Sequence, residues 1–128
     1  MSLEQLKNLD NSIELGYHSY KHYKYSDLTI NQVDEDFSEC FKIANENNLK
    51  VFNGVAYPYG NYPKHGIKNE EFMTALKQNG IKMGLRIGNK VNSFPFTNPY
   101  EIKRIDIKGE DSLLKFKLKL HFGKFKLF

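Results

Sequence analysis

The sequence predicts an α/β fold built on a parallel sheet. Three observations carry this. Short runs rich in β-branched and aromatic residues recur along the chain, at Ile13–Leu15, Lys50–Val55, Ile81–Ile87 and Ile102–Ile107. Between them, apolar residues fall at helical spacing, first Ile30, Val33, Phe37, Cys40, Phe41 and Ala44, then Phe72, Met73, Ala75 and Leu76. The resulting order of strand, helix, strand, helix, strand is that of βαβ units, whose crossovers are right-handed and whose strands run parallel.

Each element has a local reason. Ser2–Asn8 reads as the end of a helix, followed by a turn at Asn8–Ser12. Ile13–Leu15 is a short strand that delivers the histidine-bearing stretch Gly16-Tyr17-His18-Ser19-Tyr20-Lys21-His22. Tyr23–Leu28 is polar and irregular. Thr29 is an N-cap candidate, with Asn31, Asp34 and Glu35 placing polar and acidic groups in the first turns, and the helix it opens should end near Asn47-Asn48. Pro58 and Gly60 enforce a turn after the second strand. Asn69–Asn79 reads as the next helix, stopped by Gly80, and Phe94–Pro99 as a loop. The tail is open between two readings. Leu114, Phe116, Leu118, Leu120 and Phe122 alternate with Lys115, Lys117, Lys119 and His121, which suits a strand, whereas Gly109-Glu110-Asp111-Ser112 is a helix start signal.

With 128 residues the chain is a single domain, 1–128; a second core would not fit. Aromatic content is high at 14%, with eight Tyr, ten Phe and no Trp. The single cysteine, Cys40, cannot form an internal disulfide and lies in a helical pattern, as expected of a buried, inert thiol. No apolar stretch approaches the ~20 residues of a membrane span. The N-terminus has no basic region followed by a long apolar run, so no signal peptide is expected and the chain as given reads as cytoplasmic. Net charge is +4, with five lysines and no acid from Lys115 to Lys126. No nucleic-acid module accompanies that run, which reads as a solvated face rather than a nucleic-acid site.

His18 and His22 are the residues with the clearest chemistry. Imidazole is the commonest neutral metal ligand near pH 7, and an i, i+4 pair on one turn presents both rings to the same side. Such a pair can fill two positions of a divalent metal, with Ser19 between them placed to steady the loop or a ring. The same spacing also arises by chance.

A second segment sharpens the reading. His18-Ser19-Tyr20-Lys21-His22 has the form of a His-Ser/Thr-x-x-His motif, and Ala56-Tyr57-Pro58-Tyr59-Gly60 that of an Arg-x-Pro-Tyr-Gly motif with Ala56 in the arginine position. A weaker third match is Asn98-Pro99-Tyr100-Glu101-Ile102-Lys103-Arg104-Ile105. In order and spacing the three resemble the polysaccharide deacetylase family (carbohydrate esterase family 4) over about residues 3–128. The resemblance implies a partial, distorted (β/α)7 barrel, with a closing helix in the tail capped by Asp111 or Ser112.

The resemblance also implies an activity: metal-dependent hydrolysis of N-acetyl groups on a polysaccharide or glycan precursor. It makes His18 and His22 the ligands of a divalent metal, zinc in the first instance. The backbone N–H of Tyr59 becomes the oxyanion donor, and Tyr57, Pro58, Tyr59 and Gly60 the substrate-binding turn. Tyr57 and Tyr59 serve equally well as turn packing. Arg104 matches a family arginine that can orient a carboxylate; an ordinary ion pair is the alternative. His65, in a loop, and His121, near the family's last motif, are lesser candidates. Family members begin with a strand ending in an Asp-Asp pair that supplies the base and the anionic ligand, and no such pair occurs here. The chain therefore looks like the C-terminal two-thirds of the domain, as a shortened reading frame or split gene would give. Impaired activity is the expectation; a non-catalytic carbohydrate-binding remnant, or a subunit completed by another chain, is the alternative. An open barrel should expose apolar strand edges, so a homo-oligomer is expected as well.

Overall fold

A computed structural model describes residues 1–124. Four strands form one parallel sheet in the order β1 (Leu15–Tyr17), β2 (Val51–Ala56), β3 (Met83–Ile87) and β4 (Ile102–Arg104). Helix α1 (Leu3–Lys7) precedes β1, α2 (Ile30–Glu46) joins β1 to β2, α3 (Gly66–Gln78) joins β2 to β3, and α4 (Leu113–Phe122) follows β4. Sequential strand order with right-handed crossovers puts the connecting helices on one side of the sheet.

The core lies between that side and the helices. Tyr25, Val33, Phe37, Val55, Tyr57, Phe72 and Leu76 are all fully buried and pack as one cluster, with Tyr17, Phe41 and Tyr100 against it. Their periodicity within α2 and α3 is the 3.6-residue pattern read from the sequence. Capping boxes open α1 and α2: Ser2 pairs with Gln5, and Thr29 with Gln32.

The α/β parallel sheet is as expected; it is open, with β1 and β4 as its edges and no barrel closed among the described residues. Boundaries move where a local contact wins. β1 begins at Leu15 because Ile13 belongs to a turn, its N–H donating to the Asp10 carbonyl at 2.9 Å. α3 starts a turn before Asn69, whose Nδ2 donates to the Pro63 carbonyl instead of capping a helix. Ile81 precedes β3; it is buried, and its N–H donates to the Leu76 carbonyl at the end of α3. β4 stops at Arg104, and the N–H of Asp106 donates to Asn89 Oδ1 rather than extending the ladder. The tail to Phe122 is helical. Ser112 Oγ accepts from the Lys115 N–H, Asp111 pairs with Lys115 and Lys119, and Gly123 at φ 78° ends the helix.

Candidate metal-binding loop

The histidine loop leaves the C-terminal end of β1, the end at which parallel α/β sheets place their ligands. It is tightly wound: Ser19 and His22 adopt left-handed backbone conformations, with φ of 69° and 58°. Non-glycine residues hold such angles only where their surroundings impose them, at a cost of about 1–3 kcal/mol each.

One buried carboxylate gathers the polar groups of the loop. Asp36, on α2, accepts at Oδ1 from Ser19 Oγ (3.0 Å), the Tyr20 N–H (3.0 Å) and the Lys21 N–H (3.2 Å). Its Oδ2 accepts from the Tyr25 hydroxyl at 3.1 Å. Ser19 Oγ in turn accepts from the His22 N–H at 3.1 Å. Burial, reinforced by the neighbouring Asp36 charge, raises the Tyr25 pKa far above the usual phenol range, so this hydroxyl stays a donor.

The winding brings the two imidazoles together. Their Nε2 atoms stand 3.0 Å apart and the ring centroids 4.8 Å. His18 Nδ1 lies 2.5 Å from the Ala56 carbonyl at the end of β2. A carbonyl only accepts, so Nδ1 carries the proton and the lone pair of His18 is on Nε2, facing His22. Histidines that ligate metals commonly make an outer hydrogen bond of this kind. Two nitrogens about 2.0–2.1 Å from a shared tetrahedral ion are about 3.3 Å apart, so a small opening of the observed pair would admit zinc. Two neutral nitrogen donors suit that metal. Among the described residues no third His, Cys, Asp or Glu joins them.

The Pro-Tyr-Gly turn borders the pair. Tyr59, at φ 56°, holds its ring largely in solvent and edge-on to His22, with centroids 4.9 Å apart. Lys24 Nζ lies 5.9 Å from the centre of the same ring. Gly60, at φ 62°, is required: a Cβ there would meet the backbone N and Cβ of Ile87 at 2.6 Å. Tyr57 lies in the core, as in the turn-packing reading. Its ring is fully buried, and its hydroxyl donates to the Tyr100 carbonyl at 2.8 Å, close above Gly84, where any side chain would collide with it. Pro58 and Gly60 are buried as well, which leaves Tyr59 as the exposed ring of the turn.

Arg104 reaches the same end of the sheet. Its Nη2 donates to the Tyr57 carbonyl at 3.1 Å, while its buried Nε has no partner among the described residues. His65 is exposed ahead of α3, and His121 is exposed on α4, its ring tilted against Phe122. Neither ring has a hydrogen bond to the His18–His22 pair. Cys40 is half-buried, and burial pushes its thiol up to about 11, consistent with an inert role.

The sequence reading missed Asp36 and Tyr25. Tyr25 lies in the stretch read as irregular and polar, yet it forms a short 3-10 turn (Tyr25–Asp27) and sits at the centre of the core. The signal for Asp36 was present: it falls in step with Val33, Phe37 and Cys40, an acid on the apolar face of α2.

No curated protein matches the chain at a significant level. A family model described as "Polysaccharide deacetylase" matches residues 3–84, a span that runs from α1 into β3 and includes both the histidine loop and the Pro-Tyr-Gly turn. With nearly two-thirds of its length matched and both motifs folded against one another, the chain belongs to the polysaccharide deacetylase family.

Proposed function

We propose that this chain provides the two-histidine part of a metal-dependent carbohydrate deacetylase site acting on N-acetyl groups. The observation that carries this is the His18–His22 pair, with Nε2 atoms 3.0 Å apart and one ring fixed by the Ala56 carbonyl. His18 and His22 would hold the metal, which when bound supplies Lewis-acid polarisation of a carbonyl and a more acidic water. The surrounding residues orient. Tyr59 walls the site beside His22, and its backbone N–H is the proposed donor to a developing oxyanion. Arg104, whose Nε has no partner among the described residues, is proposed to orient a carboxylate.

Two neutral ligands bind more weakly than the three usual at a catalytic zinc, and the absent one is anionic in the family. Zinc titration of the chain should therefore give a weak site, abolished in His22→Ala. Tight binding unaffected by that change would refute the assignment. Hydrolysis of an N-acetylated oligosaccharide by the chain alone is expected to be slow or undetectable.

The open sheet favours a second element of this reading, completion by another polypeptide, in the simplest case a second copy. The side of the sheet away from α2 and α3 holds a shallow cavity of about 350 Å³, lined by Leu15, Gly16, Phe52, Gly54, Met83 and Leu85 among others. Sedimentation at micromolar concentration tests this: a monomer across the range would remove it.

A further inference from the structure

We propose that Asp36 is the positioning residue of the histidine loop: its carboxylate, anchored in the core through Tyr25, sets the backbone that brings His18 and His22 together. Asp36 is 7% exposed and makes no hydrogen bond to either imidazole. It collects four donors, three of them from the first three residues after His18. A buried carboxylate is tolerated only when hydrogen-bonded in this way, and the loop amides gain charge-assisted partners in return.

The anchor is rigid. Tyr25 is fully enclosed, stacked on Phe37 at 5.8 Å, edge-on to Tyr57 at 6.0 Å and tilted against Phe72 at 5.4 Å. Asp36 thus transmits the position of α2 and the core to a loop that is otherwise exposed. Relay through Ser19 then reaches His22, whose N–H donates to Ser19 Oγ. Without the carboxylate, the Tyr20 and Lys21 amides turn to water and the left-handed Ser19 and His22 relax. His18 stays tied to Ala56, so the two rings part.

Asparagine keeps an oxygen acceptor at Oδ1 and alanine keeps none, so the two variants separate geometry from charge. In the metal-free wild-type chain, NMR should show ring–ring contact between His18 and His22 and slow exchange of the Tyr20 and Lys21 amides. Asp36→Asn should preserve both. Asp36→Ala should lose the ring contact and lower zinc affinity about tenfold or more, the scale seen for groups that orient metal ligands without touching the metal. Three results would overturn the proposal: ring contact and zinc affinity unchanged in Asp36→Ala; Asp36→Asn as damaging as alanine, which would mean charge rather than geometry; or fast exchange of both amides in the wild type. The last requires no variant and decides the matter if Asp36→Ala does not fold. The ring and amide arms also stand apart from the metal reading on which the zinc arm rests. Wild-type chain with a protected loop and no zinc affinity would refute that reading and leave the anchor in place.

Discussion

The two faces of the sheet differ in how they are finished. Toward α2 and α3, Val55 and Tyr57 are fully buried under Val33, Phe37, Phe72 and Leu76. On the opposite face Phe52 is 36% exposed and Ile87 48%, and the small residues Gly16, Gly54 and Ala56 leave a shallow floor. One face is held by the chain's own helices, while the other has no comparable layer among the described residues. The histidine loop joins the two: Asp36 ties it to the helix-covered side, while His18 also lines the open one. Site geometry thus depends on the finished face, and any completion of the site is expected from the other.

The largest effect should come from breaking the finished face. Phe37 is fully buried, stacked on Tyr25 at 5.8 Å and on Phe41 at 6.0 Å. Phe37→Ala removes a whole ring from a close-packed layer and should cost about 3–5 kcal/mol. Denaturant unfolding measures it. A loss below about 1 kcal/mol would mean that this face is packed no better than the other.

A smaller effect on stability, with a larger one on association, is expected on the open face. Phe52→Ser should change unfolding free energy by about 1 kcal/mol or less, because a partly exposed ring loses little burial. The same change should shift sedimentation toward monomer if a second copy covers this face. Equal sedimentation of the variant and an associating wild type would place the contact elsewhere.

The same contrast governs what could be read in the sequence. Helical periodicity exposed the inner faces of α2 and α3 because burial there follows one repeat. The histidine pair was legible from spacing and the Pro-Tyr-Gly turn from its residues, since each is local in the chain. Barrel closure was not, because it depends on strand pairing around the whole sheet rather than on any segment. Nor did local chemistry reveal that Tyr57 turns inward while Tyr59 turns outward. That is decided by strand alternation entering a turn with left-handed backbone at Tyr59 and Gly60. The helical repeat signalled that Asp36 faces inward, but not what it binds: its partners are 11 to 17 residues away, across the β1–α2 connection.

Helix α4 offers the finest test, because it is held in a third way. Leu113, Leu114, Leu120 and Phe122 are half or more exposed, so apolar burial contributes little to its docking. Polar contacts hold it instead. Asp111 pairs with Lys115 at 2.7 Å and with Lys119, and Lys119 Nζ also donates to the Asp106 carbonyl at 2.8 Å. The Lys108 N–H bond and the paired lysines hold the Asp111 carboxyl well below the usual carboxylate range. A carboxylate whose pKa is lower folded than unfolded contributes stability that is complete above its unfolded value of about 3.9 and is lost as pH falls toward the folded one. Acidification below about pH 4 should therefore weaken the hold on α4 progressively, before the α2–α3 layer, which relies on apolar burial. Amide exchange followed from pH 7 to 3 should show protection fading first over Leu113–Phe122, and Asp111→Asn should show that fraying already at neutral pH. If α4 and the core lost protection together, the helix would be part of the finished face and not a separately tethered element.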